Sequence, residues 1–552
     1  MNSRRSTLCR VVAALVAALL LGACASAPSA SPPRLLVFLV VDGLPQRQVV
    51  DYRDQLAPDG LARFLDRGAW FANARYGHAF TVTAAGHATM LTGAYPHRTG
   101  IIGNDWRDRV TGELEYCTAD AEHSYIGNTT KKLDGTSPKN LRAETVGDVL
   151  RRADARSKVI AVSGKDRGAI LPAGKSGTAY MYMNLSGQFA SSTYYMKTHP
   201  AWVDAFNAEK RADRYFKQPW KALLGDDAYA KSLAYELPWY AKGGRLPATM
   251  GETQTAPDGA FYGGLLRSPF VDAMTLDFAR AAIAGEQLGR DDVPDILSIS
   301  LSGHDYVNHA FSAESRLSHD HLLQLDRQLE AFFKDLDATI GKDNYIAVLT
   351  ADHGFMPAPE QSKAEGRDAG RQSGSQALAR INAGLEKRFG QAKLAPSFSA
   401  SALMLDRKLA DERKLDFDAV ADEARTLMLA EQGIAVAYTR KELSLGSRAG
   451  APFFDAMAKS WNSERSGDVQ YALKPYWMMT SSSSMTTHGS PHPYDTQVPI
   501  LMWGPRWVAP GRIDTPVEVV DIAPTLARWF GVAAPSMAEG KVLPIAGPAG
   551  AR

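Results

Sequence analysis

The sequence predicts an α/β protein with a doubly wound, mostly parallel central sheet and helices on both faces. The first observation is that β-branched apolar runs alternate along the chain with helical patterns. The second is that the helical stretches carry apolar residues at three- and four-residue spacing. The third is that several apolar runs end in Asp or His, and open α/β sheets place their active sites at the carboxyl ends of strands.

Five apolar runs are predicted to be strands, and two longer segments are predicted to be helices. The strands are residues 35–41, 158–163, 295–301, 344–350 and 498–503. The helices are residues 269–286 and 320–340. In the second helix one face is marked by Leu322, Leu325, Leu329, Phe332 and Leu336.

The mature chain is interpreted as a single catalytic domain over residues 35–545 that carries insertions. Residues 105–140 and 170–265 are loop-rich and contain many aromatic residues. Residues 355–460 are charge-rich and largely helical in pattern, and they form a possible helical insertion subdomain. The 62 basic and 60 acidic residues nearly cancel, so the overall charge gives no case for a nucleic-acid partner. No pattern specifies an oligomeric state.

The N-terminus has the pattern of an export signal. Three arginines precede the apolar run 11–21, which is too short to span a bilayer, so residues 1–23 are predicted to be a signal peptide. The run ends in Leu-Gly-Ala-Cys, which resembles a bacterial lipobox with Cys24 as the lipidated residue. Residues 24–34 would then be a flexible tether to the membrane of a periplasmic or outer-membrane lipoprotein. The alternative is a plain signal peptide cleaved after an alanine.

Six candidate metal ligands lie mainly at the ends of the apolar runs. Three are Asp and three are His, a mixture of hard and borderline donors that suits two zinc-like ions, although Mn, Co or Fe could compete. They are Asp42, Asp305, His309, Asp352, His353 and His488. Each short motif is weak alone, since D-x-x-x-H pairs are usually solvated helix faces, and His492 is a rival of His488 in the same polar loop.

A candidate nucleophile and three candidate phosphate-binding residues complete the pattern. The segment 81–87 offers Thr81 or Thr83 followed by small residues, as at a helix N-terminus that binds an anion, though a simple N-cap is the alternative. Asn104 offers a neutral donor. Lys165 and Arg167 follow a predicted strand, where paired cations are usually surface charges but would hold phosphate oxygens beside a metal centre.

Taken together, these motifs resemble the alkaline phosphatase superfamily, and most closely its bacterial phosphate-irrepressible, threonine-nucleophile alkaline phosphatases. The resemblance extends over nearly the whole mature chain, and the motifs occur in the same order. It selects Thr83 as the nucleophile, three residues before the Gly-His pair. It implies one zinc ion on Asp305, His309 and His488. It implies a second zinc ion on Asp42, Asp352, His353 and Thr83.

The resemblance implies an alkaline phosphatase that hydrolyses phosphate monoesters through a phosphothreonine. Asn104, Lys165 and Arg167 would bind the non-bridging oxygens. The nearest alternative is a nucleotide pyrophosphatase/phosphodiesterase on the same two metals, but two cations suit a monoester dianion better than a diester monoanion. A sulfatase is disfavoured because its modification motif is missing around Thr83. A distant alternative is a non-catalytic, metal-binding envelope lipoprotein.

Overall fold

The computed structural model describes residues 31–240, 244–446, 448–479 and 484–547. Its centre is a nine-stranded sheet. In chain order the strands are β1 (Leu35–Val41), β2 (Ala69–Phe71), β3 (Val159–Ser163), β4 (Thr178–Met183), β5 (Gln188–Ala190), β6 (Asp295–Leu301), β7 (Tyr345–Thr350), β8 (Ile500–Trp503) and β9 (Gly511–Ile513).

The sheet is parallel at its centre and mixed at both edges. Its spatial order is β9-β2-β8-β7-β1-β6-β3-β4-β5. The five neighbours from β7 to β4 run parallel, whereas β8 pairs antiparallel with β7 and with β2, and β5 pairs antiparallel with β4. Every residue of β1, β6 and β7 is buried, as expected for strands covered by helices on both faces.

Helices cover both faces of this sheet. The helices used below are α1 (Thr83–Thr92), α2 (Asp166–Ala173), α3 (Pro269–Gly285), α4 (Gly303–Phe311) and α5 (Arg316–Thr339). The other helices are Gln46–Asp51, Ala62–Arg67, Pro96–Thr99, Val146–Ala153, Ala201–Ala208, Gly259–Gly264, Pro359–Ala364, Gly374–Phe389, Arg407–Glu412, Phe417–Leu429, Arg440–Ser444, Phe454–Ser460, Pro493–Thr496 and Ile522–Phe530. Helix α5 begins where the Ser315 side chain accepts the N–H of Ser318, and its apolar face joins the main core.

The predicted fold class is confirmed, and the five predicted strands are present within two residues at each end. Two features of the sheet differ from the prediction. The strand at 500–503 is antiparallel to its neighbour, and four further strands extend the edges. Two of these, β4 and β5, lie inside the segment 170–265 that the sequence indicated to be loop-rich. Strands β2, β5 and β9 have three residues each, too few for a periodic pattern, whereas β4 has six and was missed inside a segment interpreted as loop-rich.

The predicted insertion over 355–460 is not purely helical. It contains a separate four-stranded sheet formed by Ser397–Ser399, Ala402–Met404, Ile434–Thr439 and Val469–Leu473. This sheet and its helices share a hydrophobic core that includes Ile381, Leu385, Val420 and Met428. The strand Val469–Leu473 lies beyond residue 460, so this sheet extends past the C-terminal end of the predicted insertion. Its partner strands precede it by thirty residues or more, and such distant pairings leave no local signal.

The signal peptide over 1–23, the start of the tether and Cys24 lie outside the described residues. Within the ranges that the structure describes, no helix is both long and apolar enough to cross a membrane.

Candidate active site

Three adjacent parallel strands bring the acidic residues of the candidate site to one edge of the sheet. In the register of the sheet, Val41 of β1 pairs with Leu301 of β6, and Val40 pairs with Thr350 of β7. Asp42 therefore follows β1 where Asp352 follows β7, and α4 carries Asp305 just beyond β6. All three carboxylates are buried.

Two overlapping groups of these side chains can each hold a metal ion. Ligand atoms of Asp305, His309 and His488 lie within 4.8 Å of one another, and so do those of Asp42, Asp305 and His353. Asp305 therefore belongs to both groups. The sequence assigned Asp352 to the second group, and its Oδ2 lies 3.4 Å from Nε2 of His353. All six predicted ligands meet in one cluster, while their division three and three stays a prediction.

Each of the three histidines is oriented by a backbone carbonyl. Nδ1 of His309 lies 3.0 Å from the carbonyl oxygen of Thr486, and Nδ1 of His353 lies 2.9 Å from that of Gly354. Nδ1 of His488 lies 2.9 Å from the carbonyl oxygen of Thr81. A carbonyl only accepts, so each Nδ1 carries the proton and each Nε2 presents a lone pair to the cluster, as in metal-binding histidines.

The buried donors of the cluster fit a metal ion. Among the described residues, Asp42 Oδ1, Asp305 Oδ1, Asp352 Oδ2 and His353 Nε2 are buried without a hydrogen-bond partner. Buried polar atoms are rarely left in this state. Burial raises the pKa of Asp42 well above its usual value, and the neighbouring Asp352 raises it further. Burial also lowers the pKa of His353 and of His488, which keeps both imidazoles neutral. Metal ions bound here would balance the negative charge of the carboxylates, and the neutral imidazoles would coordinate them.

Lys165 lies inside this cluster rather than on its margin. Its ammonium group lies 2.7 Å from Oδ2 of Asp42 and 2.6 Å from Oδ2 of Asp305. Burial would lower the pKa of Lys165, but Asp305 and Asp42 outweigh burial and raise that pKa above its usual value. The charge of one ammonium balances that of only one of the three buried carboxylates. The cluster therefore keeps an excess of negative charge, which suits divalent cations.

Thr83 is the first residue of helix α1, next to Asn104. The side-chain oxygen of Asn104 accepts the backbone N–H of Ala84 at 2.9 Å, which places its amide group at the first turn of the helix. A Cβ atom on Gly86 would lie 2.2 Å from the carbonyl oxygen of Asp352, so glycine lets this helix approach the end of β7. Thr81 instead supports the loop of His488, since it donates its hydroxyl to the carbonyl oxygen of Ser490 at 3.0 Å.

Arg167 lies one residue into α2 and is partly buried. Its Nη1 donates to the hydroxyl oxygen of Tyr116 at 3.0 Å, and that hydroxyl donates to Oδ1 of Asp166 at 2.5 Å. Burial would lower the pKa of Arg167, but the groups around it, Tyr116 first, outweigh burial and raise that pKa. The guanidinium is therefore held by an aromatic hydroxyl beside the turn that carries Lys165.

The rival ligand His492 lies in the same segment as His488 but contacts a different part of the protein. Its Nε2 lies 2.8 Å from the carbonyl oxygen of Leu473. The imidazole rings of His353 and His488, by contrast, stack with centroids 3.4 Å apart. The sequence favoured His488 only through the resemblance, and in the structure His488 lies in the candidate cluster while His492 contacts Leu473.

Three site residues were missed by the sequence interpretation. Phe355 packs its ring edge-on against His309 and His488, with centroids 4.8 and 5.1 Å away. The ring of Tyr306 lies 4.9 Å from the ammonium of Lys165. His87 places Nδ1 3.4 Å from Oδ2 of Asp352. Tyr306 and Phe355 lie one and two residues beyond Asp305 and His353, so the motif flanks were their only signal. His87 belongs to the Gly-His pair, which the sequence interpretation used only to select Thr83.

Arg371 stabilises the segment that carries His488. Its guanidinium donates to the carbonyl oxygens of Ser484 and Met485 at 3.0 and 2.6 Å, and Glu360 fixes it through two further contacts. The backbone N–H of Met485 in turn donates to the carbonyl oxygen of His309.

We expect Arg371→Ala to weaken metal binding at the candidate group that contains His309 and His488 by about tenfold, because groups that orient ligands typically contribute that much. Competition with a chromophoric chelator measures this affinity. Arg371→Lys keeps one charged donor and should recover part of it. Unchanged metal affinity in Arg371→Ala would show that the segment holds its shape without this contact.

A family model described as type I phosphodiesterase / nucleotide pyrophosphatase matches residues 36–495, which include all six candidate ligands. The alkaline phosphatase PafA of Elizabethkingia meningoseptica is 34% identical over 514 residues, which are 92% of this chain and 93% of that protein. The chain belongs to the PafA-like alkaline phosphatases.

Two further comparisons agree with this membership. The alkaline phosphatase PhoV of Synechococcus elongatus is 34% identical over 522 residues, which are 93% of this chain and 92% of that protein. The crystal structure of wild-type PafA superimposes with a TM-score of 0.86 at 32% identity, covering 93% of this chain and 98% of that one. The central sheet with its helices is therefore the fold of the PafA-like alkaline phosphatases.

Proposed function

We propose that this enzyme hydrolyses phosphate monoesters outside the cytoplasm, with Thr83 as nucleophile and two zinc ions as cofactors. The observation that carries the proposal is that Lys165 lies inside a cluster of three buried carboxylates and three imidazoles, with Arg167 two residues further along the same turn. The cluster suits two divalent metal ions. The positive side chains of Lys165 and Arg167 suit a dianionic phosphate group.

The proposed metal ligands are Asp305, His309 and His488 for one ion and Asp42, Asp352 and His353, with Thr83, for the other. Zinc is favoured because imidazole and carboxylate together suit it, and because no redox step is required. When bound, the two ions would supply Lewis-acid stabilisation of the negative charge on the attacking and leaving oxygens.

The residues of the chain perform the remaining tasks. Thr83 offers its hydroxyl at the first position of α1, where the positive end of the helix dipole favours an anion. Its oxygen loses the hydroxyl proton, attacks phosphorus in line and displaces the alcohol of the substrate, which leaves with a proton. Water then hydrolyses the phosphothreonine, which releases inorganic phosphate and restores the Thr83 hydroxyl. Asn104, Lys165 and Arg167 bind the non-bridging oxygens, whose charge must be balanced during transfer.

The relatives support these assignments. Besides the alkaline phosphatases named above, a solved PafA variant is substituted at a threonine, an asparagine, a lysine and an arginine in that chain order. In that protein the threonine and asparagine lie 21 residues apart, as Thr83 and Asn104 do here, and the lysine and arginine lie two apart, as Lys165 and Arg167 do. These four side-chain types therefore recur in the same order with nearly the same spacing.

The first experiment measures bound metal and monoester turnover on the same sample. We expect two zinc ions per chain by elemental analysis, and hydrolysis of an aryl phosphate monoester that a chelator abolishes and zinc restores. His309→Ala should retain one ion, because it removes a ligand of one group only. His492→Ala is the matched control and should retain both. Two ions in His309→Ala, or loss of an ion in His492→Ala, would contradict the ligand assignment.

A phosphodiesterase on the same metals is the alternative, since the matching family model carries that description. A diester has one negative charge at phosphorus where a monoester has about two near neutral pH. The ammonium of Lys165 and the guanidinium of Arg167 therefore favour the monoester. A non-catalytic metal-binding lipoprotein would need neither of these cations nor a threonine at the start of α1.

We also propose export and membrane attachment through Cys24, on the basis of the N-terminal pattern. Cys24→Ser should shift the protein from the membrane fraction to the soluble fraction of the producing cells, with activity per molecule unchanged. Continued membrane retention of Cys24→Ser would argue against the lipobox and leave a plain cleaved signal as the alternative.

A further inference from the structure

Four buried polar side chains contact one another next to the first turn of α4. They come from the helix Gln46–Asp51, α3, α4 and α5, and this buried network comprises Gln48, Asp272, His304 and His321. Gln48 is 3% exposed, and the other three side chains are fully buried. Polar groups buried in this way cost free energy unless they are paired. The proposed chemistry uses none of the four, although His304 directly precedes Asp305.

Asp272 of α3 caps α4 from outside that helix. The first N–H groups of a helix have no partner within it, and the hydroxyl of the N-cap residue Ser302 contacts the end of β3 at 3.2 Å rather than the helix. Oδ1 of Asp272 accepts the backbone N–H of Gly303 at 3.1 Å. A Cβ atom on Gly303 would lie 2.7 Å from Oδ2 of Asp272 and 2.7 Å from Nε2 of His321, so glycine lets both side chains approach α4. Asp305 lies two residues further along the same turn.

The two histidines continue the network from Asp272 to Gln48. Nε2 of His321 lies 3.3 Å from Oδ2 of Asp272, and Nδ1 of His321 lies 3.2 Å from Nδ1 of His304. Nε2 of His304 lies 2.7 Å from Oε1 of Gln48. The amide nitrogen of Gln48 donates to the carbonyl oxygen of Ala313 at 2.7 Å, so the amide oxygen faces His304. The network therefore holds both the first turn of α4 and the segment that follows α4.

The partners of these atoms determine where protons lie. The amide oxygen of Gln48 only accepts, so His304 carries a proton on Nε2. One proton lies between the two Nδ1 atoms, because two lone pairs would otherwise face each other. A third lies between His321 and Asp272 for the same reason, since among the described residues Nε2 of His321 and Oδ2 of Asp272 have no other hydrogen-bond partner. Two neutral imidazoles supply only two of these protons, so the third balances the charge of the Asp272 carboxylate.

We propose that the buried network is a positioning unit for the metal ligand Asp305. The inference rests on the proposed function, because that function makes Asp305 a metal ligand. Asp305 belongs to both candidate ligand groups, so a shift of the first turn of α4 would move a donor of each group. Since the third proton balances the charge of Asp272, the network adds no net charge beside a cluster that already contains three buried carboxylates.

The test measures zinc affinity by competition with a chromophoric chelator on folded protein. Asp272→Ala removes the acceptor for Gly303 and the partner of His321, and we expect it to weaken zinc binding by about ten- to a hundredfold. Asp272→Asn should keep most of the affinity. Its amide oxygen can still accept the N–H of Gly303, and its amide nitrogen brings its own proton to Nε2 of His321. This rescue distinguishes positioning of α4 from a requirement for negative charge at residue 272.

Asp326→Ala is the matched control. Asp326 is another fully buried carboxylate, which lies on α5 and accepts the backbone N–H groups of Ala57 and Leu61 at 2.6 Å each. Its loss should lower the thermal unfolding temperature without changing zinc affinity. The inference would be overturned by wild-type affinity in Asp272→Ala, or by an equal loss of affinity in Asp326→Ala or in Asp272→Asn.

Proton NMR tests the placement of the protons separately. The proton between His321 and Asp272 should give a strongly downfield signal in wild-type enzyme, because a charge-assisted hydrogen bond deshields its proton. This signal should be absent from Asp272→Asn, and identical downfield signals in both proteins would contradict the network. If wild-type enzyme binds two zinc ions but hydrolyses no monoester, the proposed function fails while the affinity comparison still stands, so the two failures are distinguishable.

Discussion

Thr83→Ala is expected to lower kcat for an aryl phosphate monoester by about 10⁴-fold or more while both metal ions remain bound. The reason is that the variant lacks the oxygen that attacks phosphorus, whereas the six Asp and His donors of the cluster are unchanged. Metal content by elemental analysis and initial rates on the same sample measure both quantities. Intact-mass measurement of acid-quenched enzyme should show a phosphorylated wild-type protein and an unmodified variant.

The matched control is Thr83→Ser, which keeps a hydroxyl at the same position and should retain most of the turnover. Thr81→Ala is a second control, because the Thr81 hydroxyl contacts the carbonyl oxygen of Ser490 rather than lying at the start of α1. Full activity in Thr83→Ala would reject the nucleophile assignment. Phosphorylation that persists in Thr83→Ala would place the nucleophile elsewhere.

Arg167→Ala combined with Lys165→Ala is expected to lower monoester kcat/KM by about 10²- to 10⁴-fold. Each charge-assisted contact to phosphate contributes roughly 1.5–3 kcal/mol, or about ten- to a hundredfold. Turnover of a matched diester should fall much less, because its phosphorus carries one negative charge fewer. The comparison requires kcat/KM for a 4-nitrophenyl monoester and for a bis-4-nitrophenyl diester on metal-quantified protein.

The structure makes Arg167→Ala the cleaner of the two single variants. Lys165 lies between Asp42 and Asp305, so its removal also changes the charge balance of the metal ligands and should affect both substrates. Arg167 contacts Tyr116 and Asp166 instead, so its removal should act mainly on the monoester. Arg167→Lys keeps a charge without the planar fork and should give an intermediate loss. Equal losses on monoester and diester in Arg167→Ala would contradict selection of the dianion.

The central strands and the acidic ligands at their ends could be predicted because both depend on local pattern. Strands β1, β6 and β7 are continuous apolar runs, and parallel strands end at one edge of the sheet. The sequence therefore placed Asp42, Asp305 and Asp352 at strand ends, and the adjacency of β7, β1 and β6 in the sheet is what brings them together. The helical spacing of Asp305 and His309 was likewise readable from sequence.

The edge strands and the insertion could not be predicted from local pattern. Strands β2, β5 and β9 have three residues each, and the insertion sheet joins strands from distant parts of the chain. A three-residue strand is stabilised by its neighbours rather than by its own pattern. The helical signal of the insertion was correct for its helices but gave no sign of the sheet on which they pack.

The sequence by itself determined the fold class, the six candidate ligands and the residue types that suit a phosphate group. Only the tertiary structure placed Lys165 between two carboxylates, made Asp305 common to both ligand groups and turned His492 away from the cluster. It also brought two histidines, an aspartate and a glutamine from four separate helices into one buried network. The physical reason is distance along the chain. Apolar periodicity reports on a few neighbouring residues, whereas these contacts join segments tens to hundreds of residues apart. Only the packing of the whole core determines such contacts.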